Sequence, residues 1–223
     1  MAGMYAVYHG PKGIKAIAER IHKLTSILDN ALLKLGINQV NKNYFDTLKI
    51  ILTTNEELEK VRNLALENKI NFRYINSVTI GISLSEVNTL EDVKQILKIF
   101  SEALNKKYDD NFLDLEFNKE FPEPFKRKSD YLTHPVFNSY YSETEMMRYI
   151  KNLERKDLSL TTSMILLGSC TMKLNAASEL FAISWDEFAN IHPFAPLDQA
   201  EGYLQLFKEL EDDLKKITGF DAV

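Results

Sequence analysis

The chain has 223 residues, 45% apolar and 26% charged, the proportions of a soluble globular protein rather than a disordered one. Its net charge of −5 excludes a general nucleic-acid binder, because phosphate binding is driven by clustered lysine and arginine. No apolar run approaches the roughly 20 residues of a membrane span, and the N-terminal MAGMYAVYHGPKG lacks the pattern of a signal peptide.

The length allows one large domain or a domain with an appendage. Ile14, Ile17, Ile21, Leu24, Leu28, Leu32 and Leu35 recur at helical spacing. Pro11 stands just ahead of this helix and Gly36 just after it. Phe45 to Thr53 reads as a strand, followed by a capping box in which Thr54 is the N-cap and Glu57 reaches back. The next helix carries Leu58, Val61 and Ala65 on one face. In the second strand Val78, Ile80, Ile82 and Leu84 alternate with Thr79, Gly81 and Ser83, so one side faces a core and the other is lighter. Thr89 caps a further helix with Leu90, Val93, Leu97, Phe100 and Leu104 inward. The order helix, strand, helix, strand, helix predicts an α/β (α+β) layer with helices on a small sheet.

The pattern breaks near Tyr108. Residues 109 to 138 hold Pro122, Pro124 and Pro135, which discourage helix, and Phe112, Phe117, Phe121, Phe125, Tyr131 and Phe137, which are costly to leave in water. This predicts an extended arm draped over an apolar surface, and a boundary at 108. Lys126-Arg127-Lys128 within it reads as a solvated turn. Ser142 and Glu145 form a second capping box ahead of Met146, Tyr149, Ile150 and Leu153, and Ser184 and Glu187 repeat the device ahead of Phe188. The last helix carries Tyr203, Phe207, Leu210, Leu214 and Ile217, with Gly219 as its stop. A new apolar segment begins at Phe220, so the end at Val223 suggests a truncated piece.

Three stretches concentrate chemistry. The first, LLGSCTMKLN (166–175), holds the single cysteine, which points to a reducing compartment. Gly168 frees backbone N–H groups, Ser169 and Thr171 add hydroxyls, and Lys173 adds charge, so an anion cradle and a plain polar turn both remain open. Cys170 has no adjacent histidine base and no second cysteine, which favours an inert thiol over a nucleophile or a metal ligand. The second, NIHPFAPLDQAEGY (190–203), is held non-helical by two prolines; His192, Asp198, Gln199 and Tyr203 either face a cleft or belong to a rigid connection with Asp198 near the last helix's N-cap. The third, YAVYHGPKG (5–13), places Tyr5, Tyr8 and His9 before a Gly-Pro turn, as packed residues or as a stacking surface for a ring.

Four stretches, MYAVYHGPKGIKAIAERIH, SETEMMRYIKNLERKDL, LGSCTMKLNAASEL and IHPFAPLDQAEGY, closely resemble, in this order, the P-protein family of the glycine cleavage system, the glycine dehydrogenases (decarboxylating). The likeness runs from Met1 to Val223, with gaps in the variable strands. Departures are Leu166 for proline, Tyr141 for histidine and Lys12 for glutamate.

The resemblance implies a pyridoxal-phosphate enzyme of the aspartate-aminotransferase-like fold, built from two similar halves. Its Schiff-base lysine lies in a histidine-flanked motif downstream of anything here, so Lys173 is not that lysine and no catalytic residue is carried over. Residues 1–108 then correspond to the small C-terminal-type domain of the first half, and 109–223 to the bridging arm and the helices that open the second. The implied reaction decarboxylates glycine, with the cofactor ring as electron sink, and passes the aminomethyl group to the lipoyl arm of H-protein. Ser169, Cys170, Thr171, Lys173 and His192 are implied to line the cleft of the whole enzyme or touch its cofactor, and no metal is implied. The chain itself is expected to be inactive and to bind no pyridoxal phosphate. Its implied partners are H-protein, the rest of the same enzyme and further copies of itself, in a bacterial cytoplasm. The alternative is a non-catalytic binding or scaffold module with an α/β core.

Overall fold

A computed structural model describes residues 1–109, 113–157, 162, 164 and 177–223, with only the backbone of Ala177 and Glu179. Two compact units, Met1–Asp157 and Leu158–Val223, divide the chain.

The first unit opens with α1 (Ala2–Lys34), two helical segments joined across a kink at Gly10, whose backbone takes φ 61° and ψ −177°. A helix was expected only after Pro11; the residues before it are helical too. Proline at the first position of the second segment leaves no carbonyl partner unmet, because that N–H would be orphaned anyway. Leu24, Ile27, Leu28, Ala31 and Leu32 form its buried stripe, and Gly36 turns the chain out at φ 69°. The buried hydroxyls of Thr25 and Ser26 donate back to the carbonyls of Ile21 and His22 (3.0 and 2.8 Å), which satisfies them inside the helix.

β1 (Thr47–Ile51) is shorter than the expected 45–53 strand. It leads into α2 (Asn55–Glu67), where Thr54 accepts from the Glu57 N–H at 3.2 Å. The Glu57 carboxylate reaches back one residue further than predicted, to the N–H of Thr53 at 2.8 Å. Then comes a strand that the sequence reading missed, β2 (Arg73–Asn76), paired as a hairpin with β3 (Thr79–Ser83). The sheet order is β1-β3-β2 and every pairing is antiparallel, so β1 and β2 run the same way on either side of β3. Leu48 faces Ile82 and Ile50 faces Ile80, and all four are buried. On the face of β3 predicted to be lighter, Thr79 and Gly81 are buried and Ser83 is exposed. A Cβ on Gly81 would lie 3.6 Å from the Cβ of Arg73 and 3.7 Å from the Cδ1 of Ile75, so β2 side chains cover it.

α3 (Leu90–Ala103) starts with a complete capping box between Thr89 and Asp92 and buries Val93, Ile96, Leu97, Ile99 and Phe100. Helices α1, α2 and α3 share one apolar cluster with the Leu48/Ile50/Ile80/Ile82 face of the sheet. Each fully buried Leu, Ile or Phe contributes about 1.5–3 kcal/mol of transfer free energy, which makes this layer the stable centre of the unit.

Among the described residues, 113–142 carry only two short 3-10 turns, Glu123–Phe125 and Pro135–Asn138, as the prolines predict. Leu113 packs against the core cluster, and further along the arm makes two more sets of contacts with residues 1–109. Phe121 stacks on His22 at 4.1 Å between ring centroids, with Phe45 6.2 Å from Phe121. The Tyr131 hydroxyl donates to the Pro11 carbonyl at 2.7 Å. α4 (Glu143–Glu154) follows, capped by Ser142. None of its residues is buried; Met146, Tyr149 and Leu153 are half-covered.

The second unit contains α5 (Ala177–Phe181), α6 (Asp186–Ala189) and α7 (Glu201–Thr218). The predicted cap at Ser184 is wrong. Trp185 is the N-cap of α6 with no side-chain bond, and the Ser184 hydroxyl instead donates to the Phe181 carbonyl at 2.8 Å, closing the 3-10 turn Ala182–Ser184. α7 ends as predicted at Gly219, φ 76°. Its apolar stripe is largely uncovered within the unit: Leu210 is 57% and Ile217 79% exposed.

Candidate functional site

Of the three chemistry-bearing stretches, 166–175 lies outside the described residues, and with it Ser169, Cys170, Thr171 and Lys173. The other two are described in full.

In the 190–203 stretch the prolines hold the backbone open until a 3-10 turn at Leu197–Gln199, and α7 then begins at Glu201. His192 is exposed, and its Nδ1 accepts the N–H of Phe194 at 3.1 Å. That bond places the proton of the neutral ring on Nε2. Asp198 does not cap α7, whose N-cap is Ala200 without a side-chain bond. A cleft of about 430 Å³ opens between α6 and the start of α7, lined by Glu187, Phe188, Ile191, Gln199, Tyr203 and Leu206 among others. Gln199 and Tyr203 line it as proposed from sequence; His192 and Asp198 do not. The Tyr203 hydroxyl is held by the Phe188 carbonyl at 2.6 Å, which fixes one wall.

In the 5–13 stretch the His9 ring packs 4.3 Å from Tyr5 and 5.2 Å from Tyr8. The three rings pack on one another, while Tyr5 and Tyr8 stay exposed on their outer sides. Two contacts that sequence reasoning missed tie α1 to the loop after β3. The Tyr5 hydroxyl donates to the Glu86 carboxylate, and that bond raises the phenol's pKa above its ordinary value. Arg20 donates to the carbonyls of Glu86 and Asn88 at 2.5 and 2.6 Å. A charged donor on two backbone acceptors is a strong tie.

A second missed cluster surrounds His22, which is buried. Nδ1 and Nε2 face the carbonyls of Phe45 and Lys119 at 2.9 and 2.5 Å. Beside it Tyr44 donates to Asp29 at 2.7 Å, with the Lys119 ammonium 3.8 Å from the same carboxylate. Burial, reinforced by the bond to Asp29, pushes the Tyr44 phenol far above its usual range. No sequence signal marks this cluster, because its members come from α1, the loop before β1 and the arm.

No group of three or more His, Cys, Asp or Glu among the described residues is placed to hold a metal. The second described cavity, about 420 Å³ beside Pro11, is lined by Ser129, Asp130, Tyr131, Thr133 and Asn138. Neither cavity carries a lysine or arginine, and both carry carboxylates. A phosphate-bearing aldehyde needs cationic or N–H donors for its phosphate and a lysine for its carbonyl. Neither of these two cavities therefore fits pyridoxal phosphate. No described helix is long and apolar enough to cross a membrane.

Helices packed on a small antiparallel sheet, followed by an arm and further helices, place the chain in the mixed α/β class. The family model described as glycine cleavage system P-protein matches residues 1–100. Along its whole length the chain is 53% identical to a glycine dehydrogenase (decarboxylating) of Nostoc sp. and 48% identical to that of Bacteroides thetaiotaomicron, covering 23% of each. It is 46% identical to the mitochondrial glycine dehydrogenase (decarboxylating) 1 of Arabidopsis thaliana, covering 21% of that protein. The chain is thus similar to glycine cleavage system P-proteins along its whole length and spans about a quarter of the length of these relatives.

Proposed function

We propose that the chain is a portion of a glycine dehydrogenase (decarboxylating) that supplies one wall of a composite site and has no turnover of its own. The observation that carries this reading is identity of about half the positions over the entire chain, against under a quarter of each relative. The four sequence stretches that carried the resemblance support it independently. In this reading residues 1–108 are the small domain of the first half of an aspartate-aminotransferase-like, pyridoxal-phosphate-dependent fold, and 109–223 bridge to the second half. The lysine that forms the Schiff base with pyridoxal phosphate belongs, in this reading, to the remainder of the protein.

Within the whole enzyme, Ser169 and Thr171 would offer hydroxyl donors and Lys173 a charge to an anionic group, the substrate carboxylate or the cofactor phosphate. Cys170 lies between them as a lining residue. His192 keeps an Nε2–H donor beyond its local bond and joins the lining on that ground. The uncovered apolar stripe of α7 supports a covering surface supplied by the rest of the same protein or by a second copy. H-protein, through its lipoyl arm, is the acceptor partner of the whole reaction, which belongs to amino-acid catabolism in the bacterial cytoplasm.

The test uses the full-length parent protein. Replacing Lys173 by Ala, or Ser169 and Thr171 together by Ala, should lower kcat/KM for glycine by roughly 10²-fold, as the loss of preorganised donors does. Unchanged kinetics in both variants would remove these residues from the site.

A further inference from the structure

The kink in α1 is built by residues more than a hundred positions away. Gly10 is buried at φ 61°, a conformation that L side chains rarely adopt. A Cβ there would lie 2.7 Å from the Phe137 carbonyl oxygen, 2.7 Å from Tyr141 Cε1 and 2.8 Å from the Tyr141 hydroxyl. The recess left by the missing side chain is therefore filled by the arm. The Tyr141 hydroxyl donates back to the Phe137 carbonyl at 3.0 Å, which closes the turn over the glycine. The Tyr131 hydroxyl donates to Pro11, the next residue along. Among described elements, α1 packs more extensively on the Pro135–Asn138 turn than on the sheet or α3.

The segment before the kink is far shorter than the roughly 12–15 residues an isolated helix needs. Its N-cap, Met1, makes no side-chain bond. Val7 is its buried apolar residue, yet it lies outside the main core cluster. The segment's helicity must therefore come from contacts outside it: the Tyr5–Glu86 bond on one side and, at its C-terminal end, the arm seated over Gly10 and Pro11.

We propose that residues 131–141 are a strap seated in the Gly10 recess, and that this seat, with Tyr141 as its positioning residue, holds the aromatic segment 2–9 helical and at a fixed angle to the rest of α1. The inference concerns how Tyr5, Tyr8 and His9 are presented and stands whether or not the proposed chemistry does. It also gives Tyr141 a structural role: its ring fills a space and its hydroxyl is secondary.

Amide hydrogen exchange on the full 223-residue chain tests it. Tyr141→Ala removes the ring from a side chain that is 50% exposed. The expected result is exchange about tenfold faster at Tyr5–His9, with α3 amides unchanged, as for a local opening. Tyr141→Phe keeps the ring and should stay within about twofold of the parent. Unchanged exchange at Tyr5–His9 in Tyr141→Ala, equal acceleration in α3, or a Phe variant as loose as the Ala variant would each overturn the proposal.

Discussion

Removing the Phe121 ring by Phe121→Ala tests whether the arm is part of the first unit's stability or merely lies beside it. The ring is half-covered and stacks on His22 at 4.1 Å, with Phe45 6.2 Å away. A fully buried Phe contributes about 3 kcal/mol, so half-burial accounts for about 1.5. Stacking on an aromatic neighbour adds about 0.5–1 kcal/mol. The expected loss is about 2 kcal/mol, more than the ±0.5 typical of a surface substitution. Urea unfolding followed by far-ultraviolet circular dichroism reads it. A loss below about 0.5 kcal/mol, with the slope unchanged, would show that residues 1–108 are stable without the arm and would refute the reasoning.

The other expectations are simpler. Thr89→Ala breaks a reciprocal capping box and should cost about 1 kcal/mol, whereas Ser184→Ala, at a site that caps nothing, should stay within about 0.5 kcal/mol. The raised Tyr44 pKa makes stability fall with alkaline pH. Above the ordinary phenol value near 10 the unfolded chain loses this proton while the folded one keeps it, so unfolding is favoured as pH rises toward the folded pKa. Tyr44→Phe should flatten that decline between about pH 10 and 12, read from melting temperature against pH. The uncovered stripe of α7 should drive self-association; sedimentation equilibrium should show species larger than a monomer, and Leu210→Asp with Ile217→Asp should return the chain to a monomer.

What the sequence made legible was what is decided locally. Thr54, Thr89 and Ser142 act as caps because a hydroxyl three residues before a carboxylate needs nothing beyond its own turn. Gly36 and Gly219 take positive φ where a helix must leave. The same local logic failed at Ser184, where the pattern is present but no helix long enough to reward the cap follows. β2 was missed because Arg73-Tyr74-Ile75-Asn76 carries no alternation of its own; its strand character comes from pairing with β3. The helix before Gly10 was hidden by a Gly-Pro pair that reads as a turn, and only the arm makes it a kink. In the 190–203 stretch, where the sequence left a cleft and a rigid connection both open, Gln199 and Tyr203 line a cavity, while His192 turns to its own backbone through the rigid His-Pro-Phe geometry.

The central claim is that this chain carries part of a decarboxylating site and none of its turnover. The most direct measurement is release of labelled carbon dioxide from carboxyl-labelled glycine by the purified chain, supplied with pyridoxal phosphate and lipoylated H-protein. The account predicts release no faster than in the absence of the chain. Steady, chain-dependent release would contradict it.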